Sequence, residues 1–118
     1  MTILDKILAD KKIEVAVAKQ RLPLKVLKQK LKNFKRPQVM LNKSKDMRLI
    51  AEIKPKSPSA GVIRKKVDVK KLAKFFEAQG ASAISVLTDN KYFGGSLEIF
   101  SQVRNATRLP LLRKEFII

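Results

Sequence analysis

Glu52 and Lys54 stand two residues apart at the end of a short apolar run, Leu49-Ile50-Ala51. Alternate side chains of an extended segment share a face, so this spacing sets a carboxylate beside an ammonium. The residues that follow, Pro55 to Gly61, are rich in turn formers and place the pair where a strand gives way to its loop. In parallel sheets, ligands bind at that end of the strand. A third charge, Lys114, lies in a later run, Leu109 to Ile117, and by the same alternation shares a face with Leu112 and Phe116. A partly desolvated lysine has a lowered pKa and can donate a proton near neutrality. A neighbouring carboxylate opposes that shift, so Glu52 could instead keep Lys54 charged for binding an anion. A structural ion pair suits the Glu52/Lys54 spacing equally, and a solvated strand end suits Lys114.

Two loops add candidate contacts. Ser57, Ser59 and Gly61 could offer hydroxyl and backbone N–H groups to a phosphate or carboxylate. The loop lacks the glycines of a Walker motif or a dinucleotide fingerprint, and an ordinary Pro/Ser turn accounts for it as well. Tyr92 and Phe93, followed by Gly94-Gly95, could stack on an aromatic ring of a substrate or pack down on the rim of the fold.

These residues need a scaffold, and the hydrophobic pattern supplies one. Thr2 can cap a helix over about residues 2–20, with Asp5 in its first turn and Ile3, Leu4, Ile7, Leu8, Ile13 and Val17 as its apolar stripe. Pro23 starts a second helix bearing Leu24, Leu27 and Leu31 on one face. This basic pair could lie on an acidic surface, but packing of its apolar stripe on the rest of the fold is the preferred reading. Residues 35–47, punctuated by Pro37 and Asn42, read as a connector. A strand follows at about 48–54. Asp68 then caps a helix with Val69, Leu72, Ala73 and Phe76 inward and Gly80 as its stop. Residues 81–88 are almost uncharged, as suits a central parallel strand covered on both faces. Residues 89–95 form a loop, Ser96 caps a helix carrying Leu97, Ile99, Phe100 and Val103, and residues 109–117 form a third strand.

Strand–helix–strand–helix–strand implies an α/β fold with a parallel sheet. Eight strand–helix units close a barrel of about 250 residues. The expectation is therefore the N-terminal fragment of a (β/α)8 TIM barrel, with three parallel strands and extra N-terminal helices. Residues 1–47 would be the helical extension and connector, and residues 48–118 the first three strands and two helices.

Composition narrows the chemistry. With 118 residues and 45% hydrophobic content, the chain is long enough for one folded domain. It has no cysteine and no histidine, which removes disulfides, thiolate zinc sites, imidazole bases and Ser-His-Asp triads. Acid–base work falls to Lys, Asp, Glu or Tyr. Twenty-seven Lys and Arg against 10 Asp and Glu give a net charge of +17, which favours anionic partners. Aromatics do not interleave with the N-terminal lysines, so nucleic acid is not the expected partner. No apolar run approaches the roughly 20 residues that span a bilayer, and no membrane partner is expected.

Three segments carry a family resemblance: Ile50-Ala51-Glu52-Ile53-Lys54 with Ser57-Pro58-Ser59 and Gly61; Ala83 to Asp89 running into Lys91-Tyr92-Phe93 and Gly95-Ser96-Leu97; and Leu109 to Ile117. In order and spacing the sequence resembles indole-3-glycerol phosphate synthase, a cytoplasmic TIM-barrel lyase of tryptophan biosynthesis that needs no cofactor and no metal. Leu4-Asp5-Lys6-Ile7 and Glu14-Val15-Ala16 are similar to that family's N-terminal helix. The resemblance implies a phosphorylated small-molecule substrate, 1-(2-carboxyphenylamino)-1-deoxyribulose 5-phosphate, closed to indole-3-glycerol phosphate with loss of carbon dioxide and water. It implies Lys114 as the general acid on the ribulose carbonyl oxygen. Lys54 would contact the anionic substrate and assist dehydration, with Glu52 as the carboxylate that holds it. Ser57 would lie in the substrate loop, and Phe93 and Phe116 would form the apolar walls around the anthranilate ring. Glu115 departs from the aspartate common after the lysine. The family's second catalytic glutamate and its phosphate loops are expected beyond Ile118, so the isolated chain is expected to be inactive and to need a complementing C-terminal half-barrel. The alternative is a non-catalytic basic module that binds nucleic acid or another anion.

Overall fold

The computed structural model describes residues 1–35, 41 and 43–118. The connector positions Pro37 and Asn42 lie outside the described residues. The chain divides into two compact units, residues 1–39 with Ile118, and residues 40–117.

The first unit holds α1 (Ile3–Arg21) and α2 (Leu24–Leu31). Thr2 and Asp5 form a reciprocal capping box, in which the Thr2 hydroxyl accepts from the Asp5 N–H and the Asp5 carboxylate accepts from the Thr2 N–H. Pro23 sits one position earlier than expected, as the N-cap of α2, with an extended ψ of 149°. Ile7 and Lys11 are the buried residues of α1, and Lys11 pairs with Glu14 at 2.6 Å. In α2, Leu24, Leu27 and Leu31 are all exposed. An eight-residue helix with lysines between its leucines has little apolar surface with which to hold a partner.

The second unit carries the sheet. β1 (Ile50–Ile53), β4 (Ala83–Leu87) and β5 (Leu111–Lys114) pair in parallel in the order β1-β4-β5. Between them run α3 (Val69–Ala78) and α4 (Leu97–Ala106). The register sets Glu52 opposite Ser85, Ser85 opposite Leu112, and Leu87 opposite Lys114. Asp68 accepts the Lys71 N–H to open α3, Gly80 leaves it at a φ of 85°, and Ser96 accepts the Ile99 N–H to open α4. Ile53, Ile84 and Val86 from the sheet meet Val69, Ala73 and Val103 from the helices in the core. All five β4 residues are buried, as expected of a central parallel strand.

The strands are shorter than the apolar runs that announced them. β1 ends at Ile53 because Pro55 has no N–H for the ladder. The Pro55 carbonyl accepts instead from Ile63 and Arg64. The loop after β1 folds into an unforeseen antiparallel pair, β2 (Lys56–Ser57) with β3 (Gly61–Val62). β5 ends at Lys114 because Glu115 and Phe116 take left-handed φ values of 67° and 45°. Phe116 therefore does not continue the alternation of Leu112 and Lys114.

Candidate active site

Each strand brings one polar residue to the same face of the sheet. Glu52 comes from β1, Ser85 from β4 and Lys114 from β5, and Lys54 follows one residue after β1. The Lys114 ammonium donates to Glu52 Oε2 at 2.9 Å, and the Ser85 hydroxyl donates to the same oxygen at 3.1 Å. Lys54 Nζ lies 3.5 Å from Glu52 Oε1. Glu115 adds a second carboxylate 3.8 Å from Lys114 Nζ. One carboxylate thus sits between two ammonium groups, and its two oxygens are shared out between them.

Burial pushes the Glu52 carboxyl up, but the Lys114 and Ser85 hydrogen bonds and the charge of both lysines outweigh it, and the net shift is down. Glu52 is therefore an anion at neutral pH, suited to accept a proton and not to give one. The Lys114 ammonium moves the other way. The Glu52 hydrogen bond raises it, burial opposes that, and the charges of Glu52 and Glu115 add to the rise, so the net shift is up. At Lys114 the lowered pKa that a desolvated lysine would show is therefore not produced. The lysine side chains are 38% and 41% exposed, so water still reaches both.

Phe93 and Phe116 come together, with ring centroids 6.2 Å apart and planes tilted by 48°. Phe116 follows Lys114 by two residues, and Phe93 lies on the loop leaving β4, so both belong to the C-terminal end of the sheet. The left-handed turn at Glu115 and Phe116, not strand alternation, delivers the Phe116 ring. The β4–α4 loop is tightly tied. Buried Asp89 accepts the Tyr92 N–H at 2.8 Å, and the Asp89 carbonyl accepts the Gly95 N–H at 2.8 Å. A Cβ on Gly95 would lie 1.8 Å from the Leu87 carbonyl oxygen, so only glycine fits there. Tyr92 is engaged differently from its neighbour, with Lys91 Nζ 5.7 Å from its ring centroid.

Ser57 is not at the charge cluster's oxygens. Its buried hydroxyl accepts the Ala60 N–H at 3.1 Å and lies 3.4 Å from the Ser59 hydroxyl, closing the β2–β3 turn. Two residues of the site escaped the sequence reading. Ser85 was legible only as the one hydroxyl between Ala83 and Leu87, a signal that asks for a hydrogen-bond partner. Thr88 accepts from Arg113 Nε at 3.4 Å and donates to the Lys114 carbonyl at 3.1 Å, which ties the ends of β4 and β5 together beneath the lysine.

A carboxylate thus sits between two lysines at the C-terminal end of a parallel sheet, and an aromatic pair lies at the same end of the sheet. The sequence profile of indole-3-glycerol phosphate synthase matches residues 4–118. The chain belongs to the indole-3-glycerol phosphate synthase family. Proteins of that name from Microcystis aeruginosa and Prochlorococcus marinus are 46% and 44% identical to it, each across 98% of this chain. One from Campylobacter fetus is 43% identical, also across 98%. The alignments cover 40%, 41% and 46% of those relatives, so the chain spans less than half the length of the curated relatives it matches. The three-stranded parallel sheet with its intervening helices fits an N-terminal part of the TIM barrel expected of this family. Among the described residues no helix is long and apolar enough to cross a membrane.

Proposed function

We propose that this chain supplies one side of the active site of an indole-3-glycerol phosphate synthase working in the cytoplasm. The reaction closes the ring of 1-(2-carboxyphenylamino)-1-deoxyribulose 5-phosphate, with loss of carbon dioxide and then of water. The observation that carries the reading is the clasp on Glu52, with Lys114 at 2.9 Å and Lys54 at 3.5 Å, in a chain of this family.

In the resting clasp Lys114 is held charged by Glu52. An anionic substrate that draws Lys114 off the carboxylate removes the cause of its raised pKa and makes it a better acid. Lys114 then protonates the ribulose carbonyl oxygen as the carbon–carbon bond forms at the anthranilate ring. Carbon dioxide leaves from the carboxyl-bearing ring carbon and restores aromaticity. Lys54, beside Glu52 and the substrate anion, gives a proton to the hydroxyl as it leaves as water, while Glu52 takes up the proton lost from the adjacent ring methylene carbon. Phe93 and Phe116 wall the anthranilate ring, and Ser57 shapes the loop over the substrate. Loss of members of a site that acts as a unit is far from additive. We therefore expect the chain to turn over only with a complementing half-barrel that supplies the rest of the relatives' length.

The test is formation of indole-3-glycerol phosphate, followed by its fluorescence. The chain is assayed alone and co-folded with the C-terminal remainder of a relative. Turnover in the co-folded sample and none in the chain alone supports the reading. A well-folded assembly without turnover, combined with tight retention of DNA at physiological salt, would replace it with the basic binding module that the +17 charge also suits.

A further inference from the structure

Ser85 occupies a position where a hydroxyl needs a reason. It is 3% exposed, at the middle of a strand whose other residues are Ala83, Ile84, Val86 and Leu87. A buried hydroxyl is costly unless it is paired, and alanine would fill the same place without that cost. The register limits what Ser85 can bond. Its neighbour on β5 is Leu112, which offers no side-chain acceptor, and its neighbour on β1 is Glu52. Its proton goes to Glu52 Oε2 at 3.1 Å.

The other groups on that carboxylate are of a different kind. Lys54 and Lys114 are long, flexible side chains, 38% and 41% exposed. Glu115, 3.8 Å from Lys114, competes for the second lysine. Ser85 has one short side chain on the most buried strand. It is the buried, short partner among longer and more exposed ones. We propose that Ser85 is a positioning residue: it pins Glu52 Oε2, and so decides that Lys114 takes this oxygen and Lys54 the other. The proposal deepens the reading of Glu52 given above and rests on it only for its catalytic consequence.

The test needs no substrate, so it can fail or succeed whatever the assembly's turnover shows. The side-chain carboxyl carbon of Glu52 is followed by NMR from pH 7 to pH 2 in the 13C-labelled chain, and its resonance is assigned with Glu52→Gln. The groups facing this carboxylate are Lys54, Lys114 and Ser85, with Glu115 acting through Lys114. In Ser85→Ala, the Glu52 midpoint moves up toward the ordinary 4.5. In Ser85→Thr, which keeps the hydroxyl and suits a strand, it stays at the native value. An Ala variant with native amide shifts and an unmoved midpoint overturns the proposal, as does a Thr variant that behaves like Ala. Should Ser85→Ala not fold, the native chain decides. A Ser85 hydroxyl proton protected from exchange above the Glu52 midpoint and released below it supports the pinning. Equal exchange on both sides refutes it.

Discussion

The two faces of the sheet have been put to opposite uses. On the helix side, Ile53, Ile84 and Val86 are at most 2% exposed and cluster with Val69 and Ala73 of α3 and Val103 of α4. On the other side, the same three strands present Glu52, Ser85 and Lys114, and alternation sets Ile50 and Leu112 there, at 48% and 51% exposure. One face derives its stability from close packing, where every methyl group counts. The other holds charges in place with charges, where geometry matters more than area. In β1, close packing at Ile53 and charge pairing at Glu52 are therefore separated by a single residue step along the strand.

The largest effect should come from the polar face, and in activity. With the proposed role, Lys114→Met in an active assembly lowers kcat by about 10²–10⁴-fold, the usual contribution of a positioned general acid. Its unfolding midpoint in urea moves little, since the side chain is 41% exposed. A variant that keeps its turnover would remove Lys114 from the chemistry. The next effect belongs to the packed face, and in stability. Ile84 is fully buried, and Ile84→Ala should cost about 2–5 kcal/mol in urea unfolding. Leu112→Ala removes a similar side chain from the open face and should cost about 1 kcal/mol or less. Equal losses at the two positions would mean that the faces do not differ as described.

The same asymmetry explains what could be read from the sequence. The helix face was legible because burial is written in periodicity: Val69, Leu72, Ala73 and Phe76 at helical spacing, and an unbroken apolar run from Ala83 to Leu87. Glu52 and Lys54 were legible as neighbours because a strand brings i and i+2 together. The Glu52–Lys114 contact spans 62 positions and depends on the parallel register, which composition and spacing do not encode. The family resemblance places Lys114 in the site as an acid and pairs Glu52 with Lys54, so this contact is new with the structure. The strand ends were over-read for a local reason. Apolar residues continue past Lys114, but the backbone at Glu115 and Phe116 turns left-handed, a choice that hydrophobicity does not signal. Ser85 was passed over because a serine in a buried strand looks like tolerated small-residue packing until its acceptor is seen.

A smaller effect probes the helices that close the packed face. Ser96 accepts the Ile99 N–H at 3.0 Å at the start of α4. Ser96→Ala should cost about 1 kcal/mol, as other lost N-caps do. Ser96→Asp should recover it, since a carboxylate also caps and favours the helix N-terminus. A loss well above this would show that the residue also holds the β4–α4 loop in place, which changes in the Phe93 environment by NMR would reveal.

The smallest expected effect is the pH dependence of the clasp itself. Glu52 titrates below its ordinary 4.5 in the folded chain, so it contributes stability above that value and loses it as pH falls through the folded pKa. Lys114 titrates above its ordinary 10.5, so its contribution is complete below that value and is lost as pH rises through the folded pKa. Between the two limits both groups are charged, and the pair gives a flat profile. Water reaches the lysines, so the clasp should be worth no more than about 1 kcal/mol and should weaken with added salt. Urea midpoints of the native chain and of Glu52→Gln, compared at pH 7 and again below pH 4, isolate the acid limb. Native protein should lose its advantage over the Gln variant as the carboxylate is protonated. If the gap between them does not close on acidification, the clasp stabilises nothing. Glu52 would then be held at the mouth of the sheet for its chemistry alone.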